Sequence, residues 1–553
     1  MIQKEIGVLK NISDKTGQHY LFDDKQIFFW LYQETELGGR GEIPQLNMKK
    51  NVAIIMFITI LSTILGFIRE IALTYFYGAS AISDVYLIAQ TIPLTIFALI
   101  GTGLSTMFIP IYNKARKEKG EETAHDFMSN LINVIMIVTT VVVVLMLIFT
   151  REIVILFASG FSDSTMNLAI TFTRISVFGI YFSGLIYTFN PYLQIYNNFA
   201  IPALVGIPGN LVIIFSYFIA AKTNDIFLAY GIVVSLIFQV LLVIPAVMKN
   251  RYKYKLILHY KDKYLKEILF LSFPVIIGTS VNQFNVLIDK NIASRVAVGG
   301  ISALNYANKL TTYIGVLFAT SIITVIYPAI SEMVVNANFD GLKRTINESL
   351  VSISLFLIPI TVGTMILAQP IVEMLFLRGQ FDSNAASMTS MALIGYSIGI
   401  IAYAYRDLIS RVFYSYNDTK TPVINASIGV AINITLDIIL ARYLGIAGLA
   451  LATSIAAFVT MGMLFVSLRK KVPDFGFRGS LIKVAKILVA SLTMGIAVFF
   501  LFNQLRGKVG QNLSIMFSVV FGVIVYSIII YAFKFEEVDK YLSLITAKLK
   551  RKP

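Results

Sequence analysis

Arg69 and Glu70 stand inside a run, Val52 to Tyr77, that is otherwise apolar enough to cross a bilayer, and Asp84 follows just past the turn at Gly78-Ala79-Ser80. A charged group near the centre of a membrane helix costs about 2.5–3.5 kcal/mol on insertion scales, so it faces a bundle interior or a wet cavity. At helical spacing Thr59, Ser62, Thr63, Gly66, Arg69 and Glu70 share one side, a polar stripe on a membrane helix. Arg69 lies roughly 26 Å along that helix from Val52. A second group follows later in the chain: Asn282, Gln283, Asn285 and Asp289 on one apolar run, then Asn305, Asn308 and Lys309 opening the next. Lys309 sits roughly 14 Å in from the helix end, deeper than a loop charge. Two cations from separate segments would attract a diphosphate or another anionic head group. On this reading Arg69, Lys309, Gln90 and Asn305 line a cavity, while Glu70, Asp84 and Asp289 balance charge or take part in coupling. The blander readings are an arginine that snorkels to the interface and a lysine that Asp289 holds as structural glue. Asp437 and Arg411 are weaker candidates, since an arginine near a helix end serves equally well to snorkel or to pin a loop.

Composition narrows the chemistry. Of 553 residues 57% are hydrophobic and only 14% charged, with mean hydropathy +0.76, so this is an integral membrane protein. Cysteine is absent and the three histidines, His19, His125 and His259, fall in polar stretches. No disulfide, thiolate or buried imidazole is available, so neither an enzyme nor a metal site is expected. The net charge of +15 belongs to loops between apolar runs, where it orients the chain and calls for no nucleic acid.

These residues are positioned by an all-α architecture of about 14 transmembrane helices, each of roughly 20 residues or more. Connections after even-numbered spans carry Lys114, Arg116, Lys117 and Lys119, then Lys249 to Lys263, Lys343 and Arg344, Lys420, and Arg469 to Lys471. The positive-inside rule therefore makes both termini cytoplasmic. An internal repeat runs at an offset of about 220 residues, a spacing of the kind that marks transporter halves. Tyr196-Asn197-Asn198 aligns with Tyr416-Asn417-Asp418, Ile82-Ser83 with Ile301-Ser302, and Pro110 with Pro328. The expected division is a polar extension over 1-47 (a disordered tail or a mispredicted translation start), an N-lobe over 48-250, a C-lobe over 251-471, two added spans over 472-536 and a basic tail over 537-553.

Three motifs carry a family resemblance: Leu65-Gly66-Phe67-Ile68-Arg69-Glu70 with Tyr77-Gly78-Ala79 and Ser83-Asp84; Asn305-Tyr306-Ala307-Asn308-Lys309-Leu310; and Arg411 through Pro422. In this order they resemble the MurJ (MviN) family, the lipid II flippases of bacterial peptidoglycan synthesis. The resemblance implies a fold of the multidrug/oligosaccharidyl-lipid/polysaccharide exporter type, a central cationic cavity for a diphosphate and sugar head group, and a groove along the last two spans for a polyprenyl tail. It matches Arg69 to an arginine important for function, Asp84 to a first-lobe aspartate, and Lys309 to a place where arginine is common. Lysine keeps the charge there and loses the bidentate fork. Thr63 and Ile96-Phe97 stand where many members have arginine.

The expected activity is thus a non-enzymatic flippase moving undecaprenyl-diphosphate-linked lipid II across the bacterial cell membrane by alternating access. Its expected partners are that anionic lipid, membrane lipids and wall-synthesis enzymes. No cofactor is expected; membrane potential or an ion gradient would drive it. The alternatives are a flippase for another undecaprenyl-linked polysaccharide unit, an ion-coupled multidrug exporter, and a non-transporting scaffold.

Overall fold

The computed structural model describes residues 45–472 and 477–537, which form helices and connecting turns with no strand among them. The expected all-α membrane architecture holds. Residues 1–44 of the expected N-terminal extension, and 538–553 of the basic tail, lie outside the described residues. The chain divides into compact units at Ile58, and the following concerns the second, Thr59–Pro553.

In chain order the helices are α1 Gln45–Tyr77, α2 Ala81–Lys119, α3 Glu121–Ile148, α4 Thr150–Ala158, α5 Asp163–Ser176, α6 Gly179–Ile195, α7 Ala200–Leu204, α8 Gly206–Lys222 and α9 Ile226–Lys249. There follow α10 Lys263–Val296, α11 Gly300–Gly315, a π-helical turn Val316–Thr320, α12 Ser321–Val335, α13 Phe339–Ile366, α14 Ala368–Phe376, α15 Ser383–Ser415, α16 Lys420–Lys471, α17 Phe477–Val509 and α18 Gln511–Ala532. Twelve helical segments among the described residues are long and apolar enough to span a bilayer, or thirteen when α4 and α5, bent by 119°, count as one. The expected fourteen divides α16, whose 52 residues would exceed twice the bilayer thickness, and takes 164-194 as one crossing. α16 does break: Gly445 adopts φ 59°, ψ −136°, a conformation closed to most side chains. Large apolar side chains such as Phe215 and Ile528 face outward, as a bilayer permits and water would not.

The repeat is visible element by element. Helices α3 and α13 each have 28 residues, and each is followed by a nine-residue helix, α4 and α14. Ser162 and Asp382 then cap α5 and α15 by accepting the N–H of Thr165 and Ala385. Asn197 and Asn417, with φ 57° and 56°, follow the ends of α6 and α15, and the following N–H groups of Asn198 and Asp418 return to the carbonyls of Leu193 and Phe413, both at 2.9 Å. Side chains of Asn198 and Asp418 then accept from the N–H of Ile201 and Thr421. Asparagine tolerates the left-handed conformation, which is why this turn chemistry recurs.

Buried apolar clusters distribute unevenly. At the end where α1 meets α2 and α10 meets α11, one cluster runs from Leu73 to Ala450 and takes side chains from both halves of the repeat. At the opposite, basic end, where α2 finishes in Arg116, Lys117 and Lys119, the cores are separate: one spans residues 104–268 and another 319–472. A fourth cluster packs α17 and α18 on α13.

Candidate transport site

Polar contacts between the two halves gather at the far end, away from the lysines. Asp84, buried in the first turn of α2, accepts from the Gly299 N–H at 2.8 Å, the Ser302 N–H at 2.8 Å and the Ser302 hydroxyl at 2.5 Å. A carboxylate from one half thereby satisfies buried N–H groups that open α11 in the other and have no partner within the helix, and meets the positive end of that helix dipole. Gly299 is needed there: its φ is +77°, and a Cβ would strike the Ala79 carbonyl. Ser83 and Ser302 hydroxyls meet at 2.8 Å, Tyr306 donates to the Gly78 carbonyl at 2.9 Å, and the Gln380 N–H donates to the Tyr75 carbonyl at 3.0 Å.

About two turns before the end of α1, Arg69 places Nη2 2.7 Å from Glu70 Oε1 and donates from Nη1 to Asn210 Oδ1 on α8 at 3.1 Å. Glu70 Oε2 in turn accepts from Asn305 on α11 at 3.2 Å. Phe67 meets Tyr313 edge to face at 5.5 Å, a second tie between α1 and α11. Behind the guanidinium, Tyr217 donates to Tyr86 at 3.0 Å. Burial of both acids is near complete, Glu70 at 3% and Asp84 at 1% exposure, so these partners offset much of the cost of taking them out of water.

In this conformation the Arg69 guanidinium is tied to both Glu70 and Asn210. Lys309 is half-buried and makes no ion pair among the described residues. Lys290, one residue after Asp289, faces Asp84, Asp289, Glu70 and the like charge of Lys309. Gln90 is half-buried on α2 and hydrogen-bonds to no described residue. Thr63, in the position of an expected arginine, turns its hydroxyl back to the Thr59 carbonyl at 2.8 Å. Ile96 and Phe97 line an apolar crevice with Ile135 and Ile180, and Phe97 packs edge to face on Tyr187. The first half is thus apolar where a cationic wall would stand. Nearer the basic end, Ser105, Thr106, Asn190 and Gln194 line a polar recess between α2 and α6.

Asp289 and Asp437 stand side by side, from α10 and α16. Asn285 donates to Asp289 Oδ2 at 3.1 Å, but Asp289 Oδ1 and both Asp437 oxygens receive no hydrogen bond from the described residues, and Asp437 is fully buried. Two carboxylates placed together in such a site share a proton or hold a cation between them. Arg411 lies elsewhere, 3.8 Å from Asp407 and over the Tyr327 ring, and belongs to the second half alone. No group of three or more His, Cys, Asp or Glu suited to a metal occurs among the described residues.

Asn210, Lys290 and the Ser83–Ser302 contact are the parts that sequence reasoning missed. The Ser83/Ser302 alignment in the repeat was the one available signal.

A bundle of two repeated helical halves, closed over buried charge at one end and with separate cores at the other, defines a membrane transporter. The fold is shared with a multidrug resistance MATE transporter of the MOP superfamily in its inward-facing conformation, at TM-score 0.65 and 14% identity over 77% of this chain and 98% of that one. A structure of the lipid II flippase MurJ in its inward closed conformation matches at TM-score 0.77 and 30% identity, over 89% of this chain and all of that one. The family model for lipid II flippase MurJ matches residues 73–520, and the chain belongs to that family. Among its relatives are the lipid II flippase MurJ of Burkholderia cenocepacia, 26% identical over 85% of this chain and 94% of that protein, and a Thermotoga maritima protein named "Probable lipid II flippase MurJ", 28% identical over 90% and 98%. The chain is accordingly a multi-span protein of the bacterial plasma membrane.

Proposed function

We propose that the protein carries lipid II from the inner to the outer leaflet by alternating access, with the basic end and both termini cytoplasmic. The observation that carries this reading is the asymmetric junction: the halves are joined by hydrogen bonds at one end and keep separate apolar cores at the other. A transporter in that arrangement opens its cavity toward the basic end. Head-group diphosphate would enter there and meet Lys309, with Lys290 beside it. Its arrival would compete with Glu70 for Arg69, and so draw on the bond from Asn305 to Glu70 that helps hold the far end shut. Gln90 and Asn305 would supply neutral hydrogen bonds, and the recess at Asn190 and Gln194 would receive sugar or peptide groups. The Asp289–Asp437 pair is the proposed coupling site, taking a proton or a cation as the halves move.

Replacement of a depleted lipid II flippase by this protein in a bacterial host tests the assignment. Wall synthesis and growth should recover; failure despite full membrane insertion would overturn it. The apolar crevice at Ile96 and Phe97 favours a second reading, a flippase for another polysaccharide unit on the same lipid carrier. Recovery of a strain lacking such a flippase, without recovery of wall synthesis, would select it.

A further inference from the structure

Between α9 and α10 the chain leaves helical geometry for residues 251–262, yet it lies against membrane-spanning α3. Non-helical backbone at membrane depth must find partners for its N–H and C=O groups. Here buried side chains of α3 supply them. Asn133 donates to the Ile257 carbonyl at 2.8 Å and the Lys255 carbonyl at 3.3 Å; Asn130 both accepts from the His259 N–H at 2.9 Å and donates to its carbonyl at 3.0 Å; Ser129 accepts from the Lys255 N–H at 3.3 Å. α3 thus behaves toward this strap like a neighbouring strand built from amide side chains.

With its backbone so held, the strap alternates. Lys255 turns inward to Asp126 at 2.7 Å and Glu122 at 3.1 Å, and Ile257 is half-buried. Leu256, Leu258 and Tyr260 point the other way and are 88%, 53% and 72% exposed, while Tyr254, though 55% exposed, donates its hydroxyl back to Asn133 Oδ1 on α3 at 2.5 Å. The depth of this stripe follows from its anchors: the charged residues of α3 end at Asp126, and Asn133 lies roughly 9 Å beyond Phe127 along the helix. Two leucines and the Tyr260 ring therefore stand at the boundary of the bilayer, with Lys253 and Lys261 exposed beside them. That is the pattern of an interfacial anchor, aromatic and aliphatic groups in the acyl boundary and ammonium groups at the head groups.

We infer that the strap is a docking element for anionic phospholipids of the leaflet at the basic end. Because Asp262, its last residue, caps α10 through the Leu265 N–H at 2.7 Å, lipid held on the strap also fixes the base of α10, which Lys114 ties to α2 through Glu267 at 2.6 Å. Lipid composition would thereby act on the helix that joins the two halves. The inference rests on the strap alone and stands whatever head group the cavity carries.

Trp30 is the only tryptophan, so W30F/L256W reports from the strap alone; Leu256 is exposed enough for the exchange to leave packing untouched. The variant is reconstituted in phosphatidylcholine vesicles containing phosphatidylglycerol, with brominated acyl chains on one lipid or the other at equal mole fraction. Strong quenching is expected, at least twofold greater when bromine is carried by phosphatidylglycerol, and K253Q/K261Q in the same background should abolish that preference. Quenching that is absent would show that the stripe faces water or a protein partner and would overturn the inference. Equal quenching by the two lipids would overturn its anionic selectivity. W30F/L258W, which probes the same face, guards against a local effect of either tryptophan.

Discussion

Asp84 holds Ser302 twice, accepting its backbone N–H at 2.8 Å and its hydroxyl at 2.5 Å, although 218 residues separate them. The carboxylate is the N-terminal cap of a helix that belongs to the other half of the molecule. A hydrogen bond to a charged group contributes about 1.5–3 kcal/mol, so this one residue weights the closed far end by roughly ten- to hundredfold. Alternating access requires such a junction to be stable and yet breakable, and a polar cap meets both needs better than a dry apolar seam.

The neighbouring hydroxyls of Ser83 and Ser302, 2.8 Å apart, allow that junction to be locked. The chain has no cysteine, so S83C/S302C introduces the only thiols. Oxidation should form a disulfide in most molecules, as read by protection from thiol alkylation, and should stop lipid movement in reconstituted vesicles; reductant should restore it. D84N in the same background should lower cross-linking yield as the far end opens more often. Full transport by the cross-linked protein would show that this junction never parts.

Arg69 and Glu70 make a pair whose members are unequal in burial, 20% and 4% side-chain exposure. Loss of the arginine alone strands a buried carboxylate and should destabilise by about 3–5 kcal/mol. R69A should therefore unfold in detergent well below the parent temperature. R69A/E70Q, with no charge left to strand, should recover most of that stability and still fail to transport. If the double variant transports normally, the arginine is only a strut. R69K tests the fork separately: one ammonium cannot serve Glu70 and Asn210 as a planar guanidinium does, so partial activity is the expected outcome.

Residues that act through local rules were legible before any geometry was known. The apolar runs announced the spans, and the Asn197 and Asn417 turns announced the repeat, because left-handed asparagine caps are written in four or five consecutive residues. Pairings across helices were not. Asn210 lies 141 residues from Arg69 and has no spacing that distinguishes it from other polar residues on α8. Lys290 was hidden for a different reason: beside Asp289 in the chain it reads as that residue's counter-charge, whereas it faces the junction acids as well. The break in α16 was legible too, since the apolar runs 422-441 and 444-468 part beside Gly445, whereas the 119° bend between α4 and α5 carried no such signal. Thr63 and Ile96 illustrate the converse, positions whose departure from the family pattern was plain in sequence and whose neighbours then explained it.

Lys309 should behave as a head-group contact, since it has no ion pair among the described residues to lose. K309Q is expected to weaken binding of a lipid-linked diphosphate by roughly ten- to hundredfold while leaving thermal stability unchanged, the value of one charge-assisted hydrogen bond. K309R, which restores the fork, should bind at least as tightly as the parent. K290Q should weaken binding less, because Asp84, Asp289 and Glu70 already compensate that lysine. A K309Q protein that unfolds early but binds normally would reassign Lys309 to structure.

The Asp289–Asp437 pair makes the sharpest demand on conditions. With both oxygens of Asp437 and one of Asp289 lacking a donor among the described residues, the folded state gains whenever a proton or a cation joins the pair. Ligand at about a hundred times its Kd stabilises by about 2.7 kcal/mol, enough to move an unfolding temperature measurably. The parent protein should therefore unfold at higher temperature either on acidification or on addition of sodium at constant ionic strength, and whichever variable acts names the coupling species. D437N replaces one carboxylate by a neutral isostere that can donate to Asp289. Its unfolding temperature should start higher and respond to neither variable, and its transport in vesicles should lose dependence on the corresponding gradient. A parent protein indifferent to both would leave the pair as a neutral, proton-sharing structural contact and would remove it from the coupling mechanism.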